Sequence, residues 1–256
     1  MKKNIVIVIL LLALIGVGAY IGYDKFYVEK QEENKTEPKK EDKTESKAEE
    51  LSINSTFVEE LVGRYDYYFI QDTNLENMLY KSEKTTPADF TEDFIKQTAV
   101  SAYYSIPRGL STTWQQTYSF TSDELKKQVR KLYGPNTTVT DSSFEMDCGT
   151  YNFDVANNTY TREEGSGCGG TSASYLARKI IEAKKEENKI SIKVAVARVD
   201  MEKNQILNMN KEAISGLTTE NFNINNTTEQ LDQFTYNFNY DEENSNYYLD
   251  SITKTK

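Results

Sequence analysis

"SYLARKIIEAKKEENKISIKVAVARVD", Ser174 to Asp200, decides between a largely helical fold and a mixed one. Its second half is unambiguous. Ile190, Ile192, Val194 and Val196 recur at every second position, the pattern of a strand with one buried face. Its first half, residues 174–185, has a composition good for a helix. The short link "EENK" (186–189), however, runs straight into the strand, which favours a β-hairpin with 174–185 as its first arm.

The same reading extends in both directions. "QFTYNFNY" from Gln233 and "NYYLDSIT" from Asn246 alternate again, and "DEENS" between them reads as a hairpin turn. Upstream, "SFEMDCGTYNFDV" (143–155) places Phe144, Met146 and Cys148 in one parity and Tyr151, Phe153 and Val155 in the other. The switch at Gly149 predicts a bulge within one strand.

Before these strands the periodicity is helical. Thr56 and Glu59 have capping-box spacing, and Phe57, Val58, Leu61, Val62, Tyr65, Tyr68 and Phe69 share a helical face. "TNLENMLY" from Thr73 repeats the box on a shorter segment. Thr86-Pro87 predicts a cap with proline at the first helical position, ahead of a stripe of Phe94, Ile95, Ala99, Ala102 and Tyr103 that Pro107 limits. "TSDELKKQVRKLYGP" (121–135) has Thr121 and Glu124 to cap, Leu125, Val129 and Leu132 to bury, and Gly134-Pro135 to stop. The sum predicts an α+β fold, helices packed on one antiparallel sheet, over residues 51–256.

Residues 5–23 carry no charged side chain, a length that spans a bilayer core, and Lys2 and Lys3 precede them. The positive-inside rule then predicts a cytoplasmic segment 1–4, a transmembrane anchor 5–23 and an extracellular remainder. A cleaved signal peptide is the rival, since Val17–Ala19 offers small residues, but the apolar run continues through Ile21 to Tyr23. Residues 24–50 hold ten acids and seven bases with almost nothing to bury. They are expected to be a disordered spacer between the membrane and a single domain.

That domain carries 30 acids and 21 bases, a poor balance for nucleic acid. The chain has no histidine, which excludes Ser-His-Asp and Cys-His catalysis and any His-ligated metal. No phosphate, dinucleotide or calcium loop is present, so no cofactor is expected. Ser251 and Lys254 have Ser-x-x-Lys spacing, but in a strand they point to opposite faces. No Asp or Glu stands in a distinctive apolar setting, so no catalytic carboxylate pair is assigned.

The two cysteines, Cys148 and Cys168, bracket "ANNT", where Asn158 suits a turn. In an oxidising location they are expected to form a structural disulfide, which stabilises by up to about 3 kcal/mol in the chain-entropy model. Gly165, Gly167, Gly169 and Gly170 read first as freedom for a chain turning round that cross-link, and second as an anion-binding nest. Trp114 and fifteen tyrosines of the domain are mostly periodic core positions, with a sugar- or partner-stacking surface as the alternative.

"CGTYNFD" (148–154), "GCGGT" (167–171) and "NYYLDSI" (246–252), with the "MKK" start, apolar helix and Lys/Glu-rich spacer, resemble single-pass, membrane-anchored extracellular proteins of low-GC Gram-positive bacteria. Phe153 stands where that pattern often has tyrosine. The resemblance covers most of the chain and implies a location, not an activity. By element order alone the domain is also similar to the cone-shaped NTF2-like class, whose helices cup a curved sheet and commonly enclose a pocket.

The functional expectation is therefore a non-enzymatic, membrane-anchored external domain binding a cell-envelope component or partner protein. The alternatives are a carboxylate-dependent enzyme acting on wall glycan, and an accessory or sensor subunit of a membrane complex.

Overall fold

The computed structural model describes residues 48–65, 79–80, 82–103, 119–146, 149–164 and 174–256. The expected anchor over 5–23 and nearly all of the spacer lie outside them. Among the described residues no helix is long and apolar enough to cross a membrane.

The hairpin decided by the opening stretch is present. β7 (Ser174–Glu186) and β8 (Lys189–Asp200) pair antiparallel along their whole length, joined through Glu187 and Asn188, with Glu187 at φ 51°. They form the middle of a large sheet. β10 (Asp232–Asp241) lies on the other side of β8, and β11 (Asn246–Lys254) on the other side of β10. Short strands complete it: β1 (Glu49–Glu50) on β7, β2 (Lys84–Thr85) on β11, and β9 (Gln205–Leu207) on β8. β1 falls within the segment expected to be spacer, so the sheet starts before the expected boundary at residue 51.

The sheet is not the only one. β3 (Ser119–Thr121), β4 (Phe144–Met146), β5 (Gly149–Asp154) and β6 (Thr159–Glu164) form a second antiparallel sheet in the order β3-β6-β5-β4. This corrects the expectation of one sheet, and the reason is local. The parity switch at Gly149 is no bulge: Met146 pairs with Gly149, so the chain reverses there, and β4 and β5 are two strands. Paired with each other and with β3, these strands make a sheet of their own rather than extending the large sheet beyond β7. Their side chains stack instead, Phe144 on Tyr151 (centroids 5.2 Å) and Phe120 on Tyr160 (5.2 Å).

Four helices stand among the described residues: α1 (Thr56–Gly63), α2 (Glu92–Tyr103), α3 (Ser122–Tyr133) and the single turn α4 (Ile224–Thr227). α3 is as expected, with a reciprocal Thr121–Glu124 capping box and Gly134 ending it at φ 93°. Gly134 is required twice over, because a Cβ there would also come within 2.7 Å of the Tyr248 ring. The other two starts are shifted. Ser55, not Thr56, caps α1 by accepting from Val58 N (3.3 Å). Pro87 opens a separate 3-10 turn, and Thr91 caps α2 by accepting from Phe94 N (3.2 Å).

The three longer helices cover one face of the large sheet. Val58, Leu61 and Val62 of α1, Phe94 and Ala99 of α2, and Leu125, Val129 and Leu132 of α3 share a buried cluster with the sheet. Ile190, Ile192, Val194 and Val196 of β8 and Phe234, Tyr236 and Phe238 of β10 are its sheet side. Each such side chain contributes about 1.5–3 kcal/mol by leaving water. The opposite face carries a smaller core. Ala195, Ala197 and Val199 of β8 meet Ile206 and Leu231, with Ile214, Leu217 and Phe222 packed against them. That cover stops at Ala195, and the rest of the face is open.

Candidate functional site

The register fixes what stands on the open half. One row across four strands reads Lys184, Ser191, Asn237, Ser251, and the next reads Glu182, Lys193, Thr235, Thr253. Every one of these side chains is polar, on the face opposite the main core. Two bulges deform the sheet here. The β7–β8 register shifts between Ile180 and Glu182, and the β10–β11 register shifts at Asn237/Phe238, leaving Asp250 without an opposite residue. Bulges increase local twist and re-aim side chains. With Ala48 and Glu186 as a wall at the β7 edge, the result is a cleft of about 360 Å³ whose floor runs through Ile190 and Phe238.

Hydrogen bonds inside the cleft orient its polar groups. Asn237 Nδ2 donates to Thr235 O (3.4 Å), Ser251 Oγ (3.3 Å) and Thr253 Oγ1 (3.3 Å). Asn239 Nδ2 donates to Asp250 Oδ1 (3.0 Å), and Ser251 Oγ donates to Asp250 Oδ2 (3.0 Å). A backbone carbonyl and a carboxylate only accept, so chemistry fixes which end of each amide is nitrogen. At the β7 end, Lys184 Nζ meets Glu182 at 3.0 Å and Glu50 at 3.6 Å. The hydrogen bond from Glu182, with Glu50 behind it, holds the Lys184 ammonium above its ordinary value.

A second polar cluster lies on the helix side. Lys96 of α2, fully buried, donates to Glu92 Oε1 (2.9 Å), Ser142 Oγ (2.7 Å) and Ser142 O (3.3 Å), and sits 5.7 Å from the Phe144 ring centroid. The Ser142–Lys96 contact has the composition of an acylating dyad, but the three ammonium protons already have three acceptors, and none of the nitrogen is left to take a proton from Ser142. Glu92 also accepts from Thr140 N (2.7 Å). Burial works to raise the Glu92 pKa, but the hydrogen bonds from Thr140 and Lys96 outweigh it and hold the carboxyl below its usual range. Nearby, burial and then the charge of Asp141 push the Tyr160 hydroxyl up to about 12. This cluster ties α2 to the loop before β4, which is a structural task.

The residues singled out in the sequence do not fall on either cluster. Cys148, Cys168, Gly165, Gly167, Gly169, Gly170 and Trp114 all lie outside the described residues. The ladder between β5 and β6 ends at Gly149↔Glu164, four residues short of Cys168. Ser251 and Lys254 do part company on β11: Ser251 bonds Asp250, whereas Lys254 Nζ meets Asp232 at 3.5 Å. Sequence reasoning missed Asn237, Asn239 and Asp250. The signal for the two asparagines is the polar half of the alternation in "FTYNFNY"; Asp250 lies in the next strand and has no such signal.

No group of three or more acids or cysteines is disposed to hold a metal ion among the described residues. No protein-family model matches the chain, and neither a curated protein nor a solved structure is significantly similar to it.

Proposed function

We propose that the chain is a membrane-tethered binding module, which holds its folded unit outside the cell and engages an envelope component or partner protein without chemistry of its own. The observation that carries this reading is the cleft. It is concave and lined by pre-oriented polar side chains. The tether rests on residues 1–23 and their pattern of charge. The NTF2-like likeness belongs to the same proposal, supported by N-terminal helices lying on one face of a bulged sheet.

The test is sedimentation of residues 46–256 with purified cell wall of the source organism, run beside a Lys184→Ala, Asn239→Ala variant. Retention of the wild type and loss in the variant is the expected result. An unretained wild type removes wall binding and leaves a protein partner to be sought by cross-linking at the membrane. Sugar released into the supernatant would replace the binding reading with a glycan-cleaving one.

A further inference from the structure

The register sets unlike groups side by side in the cleft. Asn239 of β10 lies opposite Lys189 of β8, and its amide reaches Asp250 of β11. Two residues along, Asn237 lies opposite Ser191 on one side and Ser251 on the other. Neighbouring strands are about 4.8 Å apart, and the two rows are separated by about 7 Å along the strand. Each row therefore presents a donor within one strand spacing of an acceptor. Lys189 and the Ser191 hydroxyl supply donors, and neither side chain has a partner among the described residues. The Oδ1 atoms of Asn237 and Asn239 supply acceptors, and they too have no partner there. Lys184 is already engaged by Glu182 and Glu50, so it is a wall of the cleft and not one of its open donors.

The Asn239–Asp250 contact is the most selective point. Asn239 Nδ2 donates one proton to Asp250 Oδ1 (3.0 Å), so its second proton and the remaining lone pairs of Asp250 lie next to each other. Ser251 Oγ holds the other carboxylate oxygen (3.0 Å) and fixes the plane of the group. A ligand atom placed there must accept from the amide and donate to the carboxylate at once. A hydroxyl oxygen does both. An ammonium has no lone pair for the amide, and a fully ionised phosphate has no proton for the carboxylate. A peptide unit carries its donor and its acceptor on separate atoms. Lys189 and Asp250 stand on either side of Asn239, so an ion of either sign meets a like charge. The arrangement favours a neutral ligand with several hydroxyls.

We propose that the cleft binds a neutral glycan, with one sugar hydroxyl between Asn239 and Asp250 and others on Asn237, Ser191 and Lys189. The proposal rests on the binding-module reading and names its ligand class. The cleft, about 360 Å³, is near the lower end of the ~300–1,000 Å³ range of ligand pockets, so it holds a short segment of such a chain and leaves the remainder in solvent.

The test uses the full chain in a detergent without a sugar headgroup, with two neutral tetrasaccharides of different linkage, chitotetraose and maltotetraose. Saturation transfer from the protein to the sugar ring protons reads the affinity of each. At least one is expected to bind. O-methylation of that glycan is expected to weaken it at least about tenfold, because a methyl ether accepts but cannot donate to Asp250. This arm tests the contact without altering the protein. Asn239→Ala, with the unfolding midpoint unchanged, is expected to cost about tenfold as well, and Ser191→Ala about threefold. N-acetyl-tetra-alanine amide, a neutral peptide, is expected to bind more weakly than the glycan. Binding of neither glycan overturns the proposal, as does affinity that survives O-methylation or Asn239→Ala, or a peptide that binds as tightly. Wall sedimentation of the same protein separates the two failures. If the wild type is retained while neither glycan binds, the ligand class is wrong and the module stands. If it is not retained either, the wall-binding reading falls with it.

Discussion

The two faces of the large sheet are built from the same strands and solve different problems. Toward the helices every second residue of β8 from Ile190 to Val196 is Ile or Val, and all four are buried. On the other face the intervening residues change character midway, from Ser191 and Lys193 to Ala195, Ala197 and Val199. The apolar half is covered by Ile206, Leu231 and their neighbours, and the polar half is left open. One strand thus marks three environments along twelve residues: core on one side, and a second core followed by a solvated cleft on the other. The difference teaches that the informative half of an alternating strand is the half facing away from the core. Apolar residues there demand a cover, and polar residues there leave a surface free to recognise something.

The comparison breaks if the helix-side face is not the dominant core. Ile192→Ala, at a position 0% exposed, is expected to cost about 2–5 kcal/mol in chemical denaturation, with both sheets melting together. A loss under about 1 kcal/mol would mean that the helices do not depend on this face. Ile206→Ala tests the smaller core and is expected near the lower end of the same range, about 2 kcal/mol, because fewer neighbours surround it. If it matched Ile192, the sheet would have two equal cores.

The half-exposed carboxylate that pairs with the fully buried Lys96 supplies a pH test. Glu92 has its folded pKa held below the ordinary value, so its contribution is fully present above the unfolded glutamate pKa of about 4.3 and is lost as pH falls through the folded value. Stability is therefore expected to decline on acidification below about pH 4.5. Glu92→Gln should lower stability at neutral pH, where Lys96 loses its counter-charge, and flatten that part of the acid limb. An unchanged acid limb would assign the decline to other carboxylates, such as Asp141 beside Lys126.

Much of this was legible in the sequence because it depends on local periodicity. The β7–β8 and β10–β11 hairpins, the buried parity of β8 and the Thr121–Gly134 limits of α3 follow from residues within a few positions of one another. What was not legible depends on partners far away. Gly149 interrupts an alternation, and only the pairing of Met146 with Gly149 distinguishes a reversal from a bulge. The cover over Ala195 comes from Ile206, Ile214, Leu217, Phe222 and Leu231, whose spacing has no single period. The cleft is the extreme case. Asp250 becomes an extra residue only when β11 is laid against β10, because a bulge is a property of the pair and not of either strand.

The smallest expected effect is the sharpest test of the comparison. Ser191 lies in the open half of β8, among the polar row that the register defines, and its hydroxyl has no partner among the described residues. Ser191→Val extends the apolar pattern of Ala195 to Val199 into the cleft and adds a residue that favours strands. If the open face does no structural work, stability changes by no more than about 0.5 kcal/mol in either direction, an order below Ile192→Ala. The same substitution removes a donor from the cleft and narrows it, so wall retention should fall while the unfolding midpoint stays in place. A variant that lost more than about 1 kcal/mol would show the polar row to be part of the fold's own stabilisation. A variant that kept both stability and retention would leave the cleft a solvated surface, with recognition placed elsewhere on the domain.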